Sequence, residues 1–218
     1  MDQEVELIRR SLKTPRAAGI AGIIFSLLLI TSQVLIRLSI PSDPLASPLE
    51  LVRHSKTVIF ALNLLPFAGI AFLWFIAVVR DRLGELEDRF FATVFLGSGL
   101  LYVAMLFVAA SIAGALVGLL ASDSGGLTTS TTYALGRVEI YRILNIFAAR
   151  MAAVFMGSTS TIFLRTGILP RWVAFFGYAL SAALILGGGS VTWIIMVFPV
   201  WVALISVCIL IQNRHSSL

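Results

Sequence analysis

Six stretches of this chain are oily over a length set by lipid, and that leaves few folds open to it. A hydrocarbon core about 30 Å thick is crossed by roughly 20 apolar helical residues. Runs of about that length fall at residues 17–36, 57–79, 91–121, 143–164, 172–186 and 191–211. They are continuously apolar rather than alternating, so they read as helices and not as strands of a membrane barrel. With 59% apolar and 12% charged residues and a mean hydropathy of +0.99, the expected fold is all-α: a polytopic membrane bundle of six transmembrane helices. The third run, about 31 residues rising roughly 46 Å, has to tilt or project. The fifth is short.

Charge sets the expected orientation. With the N-terminus inside, Arg9, Arg10, Lys13, Arg16, Arg80, Arg82, Arg89, Arg165, Arg171 and Arg214 are cytoplasmic, against Arg37, Arg53, Lys56, Arg137 and Arg142 outside. The excess on one side places both termini in the cytoplasm, as an even number of spans requires. The domains expected are a cytoplasmic arm (1–16), one transmembrane domain (17–211) and a cytoplasmic tail (212–218). The first run reads as a retained span rather than a removable signal peptide. The net charge of +5 sits at helix ends, so nucleic acid is not an expected partner; the lipid bilayer is.

The connecting segments carry ordinary punctuation. Ser47 and Glu50 fit a capping box with Pro48 in the first turn, placing a helix start near residue 48. Gly84 suits a helix end, and Glu85, Glu87 and Asp88 suit the next helix start. The segment 122–142, "SDSGGLTTSTTYALGRVEIYR", is the most polar external piece and reads as a connector or a lid.

Within the spans the chemistry is sparse. The fourth carries Arg150, whose charge costs at least about 2.5 kcal/mol at mid-membrane, so it is expected to face protein, a cavity or water. On a helical projection Glu139, Arg150, Gly157 and Thr161 share one face, leaving Met151, Phe155 and Ile162 toward lipid. Acceptors for Arg150 could come from Asn63, Gln33, Tyr102 or carbonyls freed by Pro66 and Pro199. The guanidinium would then clasp helices together or offer donors to an anionic or carbonyl-bearing ligand. The ligand-binding candidates are therefore Arg150, Asn63, Thr161 and Glu139.

No span contains Asp, Glu, His or Lys, so proton relays, Schiff-base chemistry and a membrane-buried metal centre lack their usual residues. A phosphate-binding glycine loop followed by lysine is missing too. No catalytic residue, metal site or cofactor is expected, and the chain is not expected to be an enzyme. The hydroxyls of 157–161, "GSTST", should bond back to their own helix. Ala18 with Gly22, Gly114 with Gly118, and Gly177 with Ser181 place small residues one turn apart, suiting close helix contacts or a homo-oligomer. The four tryptophans, Trp74, Trp172, Trp193 and Trp201, read as interface anchors. Lone Cys208 has no partner within the chain for a disulfide.

Residues 72–107, "FLWFIAVVRDRLGELEDRFFATVFLGSGLLYVAMLF", and 167–182, "GILPRWVAFFGYALSA", resemble uncharacterised bacterial multi-pass membrane proteins of the domain-of-unknown-function kind. The resemblance implies a helical bundle of the bacterial plasma membrane and brings no activity or site residue with it. The functional expectation is a structural, partner-binding or small-ligand-binding membrane module. The alternative is a transporter or channel-like permease whose outward cavity uses Arg150.

Overall fold

In hydrocarbon a backbone amide has no water to bond, so each span must satisfy its own polar groups, and uninterrupted apolar runs do this as helices. The computed structural model describes residues 2–39, 53–83, 89–122, 131–167, 169–187 and 194–215, and among them there is helix and no strand. The helices are α1 (Asp2–Ser39), α2 (Ser55–Leu83), α3 (Arg89–Ser122), α4 (Thr131–Arg142), α5 (Ala149–Thr166), α6 (Arg171–Gly187) and α7 (Val197–His215). A π-helical segment, Ile143–Ala148, joins α4 to α5, and a 3₁₀ turn, Ile194–Met196, leads into α7.

Five helical stretches are long and apolar enough to cross a bilayer: Ala17–Ser39, Ser55–Arg80, Phe90–Ser122, Thr131–Thr166 and Ile194–Gln212. The sixth, α6, has 17 residues and rises about 26 Å. One boundary differs from expectation. The segment 131–142, expected as connector or lid, is helix continuous with the fourth span, because its residues extend the helical ladder without a Gly–Pro break. Residues 2–16 continue α1. The capping box at Ser47 and Glu50, and the Gly84 to Asp88 turn, lie outside the described residues.

Around the bundle the long helices follow chain order: α1 against α2, α2 against α3, α3 against α5, α5 against α6, with α7 closing on α1. Contacts show that neighbours alternate in direction. Ser32 Oγ, late in α1, donates to the Ala61 carbonyl, early in α2, at 2.7 Å, while Gly22 packs on Phe75 further along α2. Small residues permit these approaches. A Cβ on Gly22 would overlap Ser206 of α7, one on Gly19 would overlap Leu210, and one on Gly177 would overlap Ser160, with Trp201 close behind. Ser181 Oγ donates to the Ala153 carbonyl at 2.7 Å, tying α6 to α5. Gly114 and Gly118 make no such contact within the chain among the described residues: a side chain at Gly118 would meet nothing, and one at Gly114 only the tip of Leu62.

At mid-bundle seven aromatic rings from five helices meet. Phe72 (α2) stands at the centre, with ring centroids 4.5 Å from Phe25, 5.1 Å from Phe155, 5.5 Å from Phe198, 6.0 Å from Tyr102 and 6.1 Å from Phe75. Phe95 stacks on Phe155 at 4.6 Å. Trp201, expected as an interface anchor, is instead buried between α7 and α6, since Gly177 leaves room for an indole. Trp74 and Trp172 are exposed on the outer surface, as are Leu27, Phe67 and Leu186. Trp193 lies outside the described residues. An apolar outer surface of this kind suits lipid, where it costs nothing to leave it uncovered.

In a membrane the unfolded helices still sit in hydrocarbon, so losing a core ring costs mainly its packing contacts. Phe72→Ala should therefore destabilise by about 3 kcal/mol, the low end of the range for such truncations. Phe67→Ala, on the exposed face of the same helix, should cost well under half of that. Apparent melting temperatures in detergent check the order.

Candidate functional site

Arg150 does not point into the bundle. It lies exposed on the outer surface of the fourth span, and its Nη1 donates to the Ile146 carbonyl of the π-helical segment at 3.3 Å. Long side chains on a helix lean toward its N-terminal turn, which carries this guanidinium back along the span toward the nearer membrane face. The buried face is the one formed by Ala148, Ala149, Ala152, Ala153, Phe155 and Met156. Phe155 and Ile162, expected toward lipid, are therefore core residues. The projection took its phase from the charge; closely packed helices take theirs from small residues.

The other candidates are dispersed. Asn63 is exposed on α2 and Glu139 half-buried on α4. Thr161 donates to or accepts from Tyr178 at 2.6 Å across α5 and α6, and also bonds the Gly157 carbonyl at 2.9 Å. Of the neighbouring hydroxyls, Ser158 and Thr159 bond back to carbonyls one turn earlier, as expected. Nothing draws Arg150, Asn63, Thr161 and Glu139 into one site.

What the fold does build is a cavity of about 410 Å³ between α1, α2, α3 and the α4–π segment. Its space comes from α3, which presents Ala109, Ala110 and Ala113 where larger residues would fill the gap. Apolar walls are completed by Leu62, Leu65, Leu106, Leu116, Ile140 and Ile195. Gln33 and Arg37 enter from one side, and Tyr133, Arg137, Tyr141 and Asn145 from the other. The last four recur every fourth residue, a spacing that keeps them on one helix face. The Arg137 guanidinium lies 5.9 Å from the centre of the Tyr133 ring, within cation–π range. No carboxylate lines the cavity among the described residues.

Asn145 stands inside the π-helical segment. There the ladder is widened: the Ala149 N–H reaches the carbonyls of Leu144, five residues back, and Ile146. The Asn145 Nδ2 donates to the Tyr141 carbonyl at 3.0 Å, supporting the wide turn and fixing which way the amide faces. Its Oδ1 is buried without a hydrogen-bond partner among the described residues, and so is the Oε1 of Gln33. π turns carry strain relative to an α-helix and are found mostly at functional sites. Below the cavity a recess of about 10 Å³, lined by Gln33, Tyr102, Leu144 and Phe198 among others, ends at the aromatic cluster.

This site is hidden in the sequence because Arg37 and Arg137 sit near helix ends, where orienting charges are expected anyway. The i, i+4 pair Gln33 and Arg37, with the four-residue spacing from Tyr133 to Asn145, was the available signal. Among the described residues no group of three His, Cys, Asp or Glu comes together. The chain matches no protein-family model, no curated protein and no solved structure.

Two outcomes test this geometry. Arg150→Leu should lower stability by no more than about 0.5 kcal/mol, the range for surface positions, because the hydrogen bond it makes, to the Ile146 carbonyl, is within its own helix. Gln33→Leu removes a buried acceptor that lacks a hydrogen-bond partner among the described residues and should raise the apparent melting temperature in detergent, by a gain of about 1 kcal/mol.

Proposed function

We propose that this chain is a six-span protein of the bacterial plasma membrane, with both termini cytoplasmic, that performs no catalysis and binds a small anionic or carbonyl-bearing ligand between α1, α2, α3 and α4. The distribution of arginine and lysine supports the orientation, and the likeness of residues 72–107 and 167–182 to bacterial multi-pass proteins supports the setting. On this orientation the cavity faces outward, since it is lined by the end of α1, the start of α2, the end of α3 and the start of α4.

The observation that carries the reading is the cavity itself: large enough for a small molecule, mostly apolar, and lined by Arg37 and Arg137 among a few polar groups. Guanidiniums recognise carboxylates and phosphates through paired, directed hydrogen bonds. Arg150, on the outer surface, has no part in it. A permease reading of the same cavity draws on one feature, the closure of its inner end by the aromatic cluster, as in a carrier open to one side.

Straight-chain carboxylates of four to eight carbons, and the matching alkyl phosphates, serve as probes. At least one should raise the melting temperature of the detergent-solubilised protein, as selective binding to the folded state does. Ala113→Phe, which fills the cavity, should abolish the shift without lowering the melting temperature of the unliganded protein. Uptake of the best radiolabelled probe into proteoliposomes separates a carrier from a binding module.

A further inference from the structure

We infer that the cavity selects anions that also carry a hydrogen-bond donor at the end away from the acid, such as short hydroxy or amino acids, and that Asn145 and Gln33 make that selection; this rests on the ligand-binding reading above. The amide of Asn145 is oriented by the bond that one of its two N–H groups donates to the Tyr141 carbonyl, which leaves its buried oxygen, an acceptor only, as the atom that wants a donor. That oxygen and the Oε1 of Gln33 are buried and lack hydrogen-bond partners among the described residues, in side chains that both line the cavity. A buried carbonyl oxygen left without a donor costs about 1–3 kcal/mol, and few persist in a folded protein without a reason.

The cations and the acceptors are separated in depth. Gln33 lines both the cavity and the recess beneath it, whereas Arg37 and Arg137 line only the cavity. Four residues separate Gln33 from Arg37 and eight separate Asn145 from Arg137, about 6 Å and 12 Å of helical rise. Between them the walls are hydrocarbon, with Leu62, Ala113 and Ile140. A matching ligand is acidic at the mouth, apolar at the waist and a donor at its inner end. A membrane phospholipid with its phosphate at the mouth would send acyl chains inward, and those offer no donor to either oxygen. A hydroxyl or ammonium at the inner end does.

Hexanoate, 6-hydroxyhexanoate and 6-aminohexanoate separate these chemistries, because they share chain and acid and differ at the far end. Affinities are read by isothermal titration and thermal shift on the full chain in detergent. At least one donor-bearing acid should bind about tenfold more tightly than hexanoate, the worth of one buried hydrogen bond. Gln33→Leu and Asn145→Leu should each shrink that preference toward equal binding of the three acids. Since Asn145 also supports the π turn, Gln33→Leu is the variant that reports on selection if Asn145→Leu fails to fold. If all three acids bind equally and Ala113→Phe removes them all, the selection is overturned and the anion site stands. If none binds the parent protein, both fall.

Discussion

The packing of seven aromatic rings around Phe72 is the interaction on which the rest of the bundle depends. Rings from α1, α2, α3, α5 and α7 meet there, all fully buried or nearly so. In lipid the hydrophobic effect gives helices no reason to associate, so dispersion contacts of this density have to hold them. Offset and edge-on geometries, such as the 79° between Phe72 and Phe198, let many rings share one site without facing their negative faces together. The same cluster closes the inner end of the cavity. Stability and a closed floor thus come from one set of side chains.

Above that floor the bundle opens because its two halves are packed differently. In the half away from the cavity, glycines at 19, 22 and 177 bring backbones together and large side chains fill what remains. Toward the other end, α3 offers Ala109, Ala110 and Ala113 to the cavity. Small residues therefore act in two ways in this molecule. Where a neighbouring side chain reaches across they make a tight contact, and where none does they leave a cavity. The π segment follows the same boundary, placing Asn145 at the cavity and giving the Ile146 carbonyl to the Arg150 side chain.

Arg150 shows why a buried-looking charge can mislead. Its cost in hydrocarbon is real, but the helix itself offers relief, through a carbonyl at the wide turn and the lean of the side chain toward the membrane face. The charges that do line a cavity, Arg37 and Arg137, lie near helix ends where the orientation rule already accounts for them. A cation in that position has two explanations that only its neighbours separate. Gln33 was legible as a polar group inside a span, and Asn145 as one beside the face then assigned to Arg150; their convergence was not.

By itself the sequence determined the all-helical fold, the sites of the long apolar helices and the close approach at Gly22 and Gly177, because hydrocarbon length and backbone hydrogen bonding leave few alternatives to such runs. Only the tertiary structure decided which face of each helix turns inward, that 131–142 extends the fourth span, and that Trp201 is core. The reason is that lipid and protein interior are equally apolar, so hydropathy distinguishes a span from water but not one side of it from the other. That choice is made by shape, and shape belongs to pairs of helices rather than to a single stretch of chain.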